Sequence, residues 1–270
     1  MKQLLLSFHN AIDYPLRRLF RWRRKGLRIK NEDKGQLFKD LPPDIRQEAV
    51  KRADELITLY HLEPFFAQSK CKVFRINLYY LDLLQEAGER TMYHLPDEAV
   101  EALDVGCSDW FYVQALYQWL RWWKFPAGRQ VRLTGYEADA YRVYRDFHSR
   151  YDYAQWYSRG LEGTVYIPEP FSASASPVDL AFLFFPFVFI VDHQDWGLPN
   201  RLFDPKQLLQ AVWDSIKPGG MLLITNQGIQ EHQAQITLLK SIAAPINSAF
   251  MFQSPFFHYP QEHYVITAIR

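Results

Sequence analysis

The stretch Glu101-Ala-Leu-Asp-Val-Gly-Cys-Ser-Asp-Trp110 decides how this chain is read. A short apolar run, Ala102, Leu103 and Val105, ends at Gly106, and a helical pattern starts a few residues later. Glycine at the end of a buried strand lets the backbone turn sharply and come close to a ligand, because no Cβ stands in the way. The following helix then points its free N–H groups into the same crevice. Such a strand, bend and helix suit a nucleotide-type cofactor.

Outward from that stretch, residues 98–270 alternate strand and helix patterns, as parallel βαβ units do. Strands are expected at Ala102–Val105, Val131–Tyr136, Thr164–Ile167, Asp179–Phe185 and Met221–Thr225. Helices are expected after the first strand, after Glu137 as a polar, tyrosine-rich one, from Asp204-Pro205 to Lys217-Pro-Gly-Gly220, and after the fifth strand. A loop runs through His193 and Trp196, and segments near Phe250–Phe257 and His263–Ile269 read as a closing antiparallel pair.

Asp104-Val105-Gly106-Cys107 resembles motif I of the class I S-adenosylmethionine-dependent methyltransferases, and Lys217-Pro-Gly-Gly220 resembles that family's turn into its fifth strand. The resemblance implies a seven-stranded, mostly parallel sheet flanked by helices, with the last strand inserted antiparallel. It implies S-adenosylmethionine as cofactor, held by Asp104, Gly106, Cys107, Ser108, Glu137 and Phe184. Glu137, at the tip of the second strand, is placed to accept hydrogen bonds from both ribose hydroxyls. Ser108 and Trp110 depart from the pattern, standing where the second and third glycines usually are. Tryptophan there either lies outward on the first helical turn or fills the pocket.

Phe184-Phe185-Pro186-Phe187 occupies the place where amino-group methyltransferases of nucleic acids carry Asn/Asp-Pro-Pro-Tyr/Phe. Phenylalanine has no oxygen to accept from an exocyclic amine, which argues against a base N-methyltransferase. His193, among Asp192, Gln194 and Asp195, is the candidate general base. Asn226, His258 and Tyr259 are further candidates for facing the crevice, and Asp139 reads as a helix N-cap. Gly-x-Gly-x-x-Gly, which a nicotinamide-dependent oxidoreductase needs, is represented by its first glycine alone.

Residues 1–95 read as a helical extension to a Rossmann-like domain at 96–270. Its firm helices begin at Pro43-Asp44 and, further on, run past Val73, Ile76, Tyr80 and Leu84 to Gly88; Pro15 argues against one unbroken helix before them. The chain of 270 residues has a net charge of +1, which hides an asymmetry. Residues 1–30 hold nine basic residues and one acid, Asp13, for a charge of +8, and the remainder carries −7. That basic arm suits an anionic membrane surface, RNA, or the acidic body of the chain itself. The longest apolar run, Leu180–Val191, is too short to span a bilayer. Two cysteines give no disulfide framework, so the expected setting is cytoplasmic, with peripheral membrane contact through the arm.

The expected activity is therefore methyl transfer to a small-molecule acceptor. The alternative is a catalytically inactive scaffold of the same fold, docked to a membrane surface or a polyanionic partner through its arm.

Overall fold

A computed structural model describes every residue except Met1, Ala175 and His258, so the expectation for His258 lies outside the described residues. The sheet strands are β1 (Ala99–Val105), β2 (Gln130–Tyr136), β3 (Thr164–Ile167), β4 (Val178–Phe184), β5 (Ile216–Gln227), β6 (Ile246–Phe252) and β7 (His263–Ile269). Their spatial order is β3-β2-β1-β4-β5-β7-β6, with β7 antiparallel to both neighbours and the other pairings parallel. All seven residues of β4 are buried. A strand covered on both faces reads as a continuous apolar run, as Leu180–Phe184 does.

The helices are α1 (Lys2–Phe20), α2 (Pro43–Leu59), α3 (Glu63–Gln68), α4 (Cys71–Thr91), α5 (Val113–Trp122), α6 (Arg150–Tyr157), α7 (Ile190–Asp195), α8 (Pro205–Asp214) and α9 (Gly228–Ser241). Two packed layers cover the sheet. On one face Leu103, Ala181, Leu222 and Ile224 meet Leu209 and Val212 of α8 and Leu239 of α9. On the other, Ala102, Leu133, Phe182 and Leu223 meet Leu116 and Leu120 of α5. The same core continues without a break through Phe74, Leu78 and Leu81 of α4 to Ala49 and Leu56 of α2. Asn77 of α4 pins this layer, donating to Phe111 O and accepting from the Ala115 amide.

Several local readings are corrected. Helix α1 runs unbroken through Pro15. The proline leaves the Ala11 carbonyl without its helical donor, but Ala11 is exposed and water can serve it. Helix α4 continues past Gly88, where a Cβ would lie 2.7 Å from the Trp123 ring. Glycine there serves close packing rather than termination. The tyrosine-rich segment after Glu137 is not helical until Arg150, where Ser149 and Asp152 form a reciprocal cap. The loop at His193 contains α7, and Lys217-Pro-Gly-Gly220 lies inside β5 rather than before it. A register irregularity between Val178 and Leu180 accommodates that proline-containing start.

Candidate functional site

The carboxyl ends of β1, β2 and β4 adjoin, so Gly106 and Glu137 fall beside one another. Asp104 pairs with Gly135 and Val105 with Tyr136, one residue before each of the two turns. Gly106 takes φ of +84°, and a Cβ built on it would meet nothing within 4 Å. The bend is therefore open on the side a ligand would approach. Ser108 and Trp110 also take positive φ, +53° and +57°. The backbone keeps the left-handed turns that glycine would make freely, at about 1–2 kcal/mol for each side chain.

Trp110 does not lie outward. Its ring is fully buried, and its Nε1 donates to Asp104 Oδ2 at 2.8 Å. The indole rests on Gly135, where a Cβ would come within 2.7 Å of it, and leans on Tyr166 at 5.8 Å between ring centres. Tyr112 donates to the other Asp104 oxygen at 3.4 Å. Both oxygens of Asp104 are thus engaged within the chain. Burial is the main cause that raises its pKa, to about 7, against the pull of those two donors.

Glu137 is 4% exposed. Its Oε2 accepts from the Ser108 amide and its Oε1 from the Asp139 amide, each at 2.8 Å. Burial raises its pKa, opposed first by Arg150, whose Nη1 lies 3.5 Å away. Arg150 itself stacks on the Trp196 ring at 4.2 Å. Asp139, expected to cap a helix, instead receives arginines. Arg17 grips it in a two-pronged pair at 2.8 and 3.2 Å, Arg142 lies at 2.9 Å and Arg150 at 3.8 Å.

Arg17 belongs to α1, and so the basic arm folds back over this edge of the sheet. Asn10 donates to the carbonyls of Gln194 and Leu198, Tyr14 to Ala138 O, and Arg17 to Gly197 O. Beyond α1, Arg23 lies over the Tyr151 ring at 4.1 Å and Trp22 donates to Phe147 O. The helix thus bridges the loop after β4 and the loop after β2.

The remaining expected residues are spread out. Cys107 is fully buried, and its thiol is pushed up by burial. Phe184 is packed in an aromatic cluster with Phe182, Tyr80 and Tyr112. His193 is buried between Phe187 and Phe203, with Nε2 3.1 Å from Pro199 O. Desolvation lowers its pKa. Asn226 is buried with neither side-chain polar atom hydrogen-bonded among the described residues.

Four contributors were not anticipated: Asn10, Tyr14, Arg17 and Arg150. The first three were legible as a polar stripe at three- and four-residue spacing, opposite the leucines and phenylalanines of the same helix. Arg150 had a signal too, since a cation in the first turn of a helix opposes the helix dipole unless an acid nearby calls for it. Tyr79 and His263 form another unforeseen pair. The tyrosine hydroxyl meets His263 Nδ1, with Tyr259 and Phe185 rings 4.2 and 4.8 Å from the imidazole. Burial lowers the His263 pKa to about 4. Two surface clefts lie elsewhere, one between Ser172, Ser174 and Pro177 and the length of α8, the other between Lys34–Lys39 and α2.

The strand order, the single reversed strand and the glycine bend facing an acid one strand over leave one assignment. The fold is that of the class I methyltransferases. No protein-family profile matches the chain, and no curated protein sequence does. Among solved structures, an S-adenosylmethionine-dependent methyltransferase from Aquifex aeolicus is similar at 14% identity and TM-score 0.48, over 73% of this chain and 96% of that one. Magnesium protoporphyrin IX methyltransferase from Synechocystis PCC 6803, solved with bound S-adenosylmethionine, is similar at 9% identity and TM-score 0.46, over 100% and 97%. The N-methyltransferase NodS from Bradyrhizobium japonicum WM9 is similar at 14% identity and TM-score 0.43, over 71% and 92%. At these identities the likeness concerns fold alone. The class I assignment stands on the strand order and the antiparallel β7.

Proposed function

We propose that the protein binds S-adenosylmethionine across the carboxyl edge of the sheet and transfers its methyl group to a small-molecule acceptor. The observation that carries this reading is the juxtaposition of an open bend at Gly106 with Glu137 at the tip of the adjacent strand. A carboxylate has about four acceptor positions, and the Ser108 and Asp139 amides take two of them. Ribose hydroxyls can use the others once Arg150 and the neighbouring α1 side chains give way. The fit is partial, because Asp104 is fully buried and its two oxygens already accept from Trp110 and Tyr112. When bound, the cofactor supplies an activated methyl group. The chain's own part is to hold and align the partners. Phe185, Tyr259 and His263 offer an aromatic wall for the acceptor, and His193 is retained as a candidate proton acceptor through its second ring nitrogen.

A second reading, a non-catalytic scaffold, is favoured by one observation: the Trp110 indole is locked onto Asp104 where the resemblance would place glycine. Titration calorimetry separates the two. Micromolar binding of S-adenosylmethionine or S-adenosylhomocysteine, weakened at least tenfold in Glu137→Gln, supports the enzyme. Absence of heat at millimolar cofactor overturns it and leaves the scaffold.

A further inference from the structure

Helix α1 is amphipathic in the opposite sense to an ordinary surface helix. Its polar residues Asn10, Tyr14 and Arg17 face the protein. Its large apolar residues face solvent: Leu4 is 77% exposed, Phe8 70%, Leu19 75% and Phe20 73%, with Leu5, Ile12 and Leu16 between them. At 100° per residue these seven fall within one arc of about 160°, on the side away from the anchoring residues. Soluble monomers seldom leave so large a contiguous apolar patch in water. Trp22 follows at 49% exposure, and the exposed Arg21, Arg24, Lys25, Arg28 and Lys30 continue the chain from the helix.

We infer that the outer face of α1 docks on a phospholipid bilayer that carries anionic headgroups. Two properties of this segment select that occupant. Leucine and phenylalanine side chains gain by leaving water for the acyl boundary, as in helices that lie in the membrane interface. The exposed cations Arg21, Arg24, Lys25, Arg28 and Lys30 complement an anionic leaflet, whereas the remainder of the chain beyond residue 30, at −7, would be repelled from it. Phosphate recognition in RNA would use the arginines but would leave the leucine and phenylalanine stripe in water. No helix among the described residues is long and apolar enough to cross a membrane, so the docking is lateral. The inner face of α1 remains free to hold the loops after β2 and β4, which brings the carboxyl edge of the sheet next to the bilayer. This inference does not rest on the cofactor reading.

Vesicle flotation of the full chain tests it, using phosphatidylcholine alone and phosphatidylcholine mixed with phosphatidylglycerol. The wild type is expected to float with the mixed vesicles and to stay in solution with the neutral ones. The pair Phe8→Ser and Leu19→Ser keeps every charge, and it is expected to lower the partition coefficient at least tenfold. The pair Arg21→Gln and Lys25→Gln is expected to lower it about tenfold, with weaker salt dependence. Circular dichroism melts of both pairs should match wild type, because these side chains point outward. Failure of the wild type to float with mixed vesicles overturns the proposal, as does undiminished binding by the serine pair. Retention of an RNA mobility shift by the serine pair, without vesicle binding, would assign the arm to nucleic acid instead. A dimer in sedimentation that the serine pair dissolves, again without vesicle binding, would assign the face to a second copy of the chain.

Discussion

Trp110 and Asp104 form a closed couple at the start of the glycine loop, the indole N–H on one carboxylate oxygen and both groups out of water. Trp110→Phe removes the donor but keeps most of the ring. A buried acceptor left without its donor costs about 1–3 kcal/mol, and the lost part of the indole adds a cavity. Urea unfolding should therefore show a loss of about 2–4 kcal/mol.

The same carboxyl gives a pH dependence of definite sign. Its pKa is about 7 in the folded chain against 3.8 for the free group, so between those values the folded state binds the extra proton. Stability from Asp104 is then complete below about pH 4 and is lost as pH rises to about 7. His263 works in the opposite direction. Its pKa is lowered from 6.5 to about 4, so its contribution is complete above 6.5 and lost as pH falls toward 4. The two slopes oppose each other over the same window. Unfolding free energies measured from pH 4 to 7 should fall less steeply with rising pH in Asp104→Asn than in wild type. They should fall more steeply in His263→Gln.

Gly135 is the partner this couple requires. A methyl group there would sit 2.7 Å from the Trp110 ring and 3.0 Å from Cys107 Sγ. Gly135→Ala should cost about 1–3 kcal/mol by overpacking. Combined with Trp110→Leu, it should cost less than the sum of the two single changes. Additivity within about 0.5 kcal/mol in a double-mutant cycle would refute direct packing between them.

The bend and the tip acid could be located from sequence because a strand ending in glycine and a strand ending in glutamate are local patterns. What occupies them could not. Trp110 could be read as facing either way, since one residue's direction depends on whether the facing strand leaves room, and Gly135 lies twenty-five positions further on. Asp139 reads as a helix cap because a short carboxylate can take the free N–H groups of a first turn. The arginines that claim it come from positions 17, 142 and 150. The charge split between arm and body was visible at once. That the arm's arginine reaches a buried carboxylate while its leucines face outward depends on which face of α1 docks.

Arg17 is the clasp of that docking. Asp139 retains Arg142 and Arg150 when Arg17 is removed, so Arg17→Ala should cost about 1–2 kcal/mol, less than breaking an isolated buried pair. Its clearer effect should be local. Amide exchange in residues 3–20 should accelerate at least tenfold while β1, β4 and β5 keep their protection. Uniform acceleration across the sheet would contradict a role confined to the clasp.

Gly106→Ala separates backbone from ligand effects. Nothing lies within 4 Å of the new methyl group, so the expected cost is the left-handed backbone alone, about 1–2 kcal/mol in unfolding. If the bend lies against a cofactor, affinity for S-adenosylhomocysteine should drop tenfold or more in the folded variant. An unchanged affinity would place any bound cofactor away from Gly106.

The uninterrupted interior shared by α2, α4, α5 and the sheet has a practical corollary for anyone dividing this chain. Cutting near residue 96, where the sequence pattern changes, would strip Phe74, Leu78, Leu81 and Leu84 from the layer that shields Leu116, Trp119 and Phe182. The severed half would carry a bare greasy flank and should be recovered from cells as insoluble material.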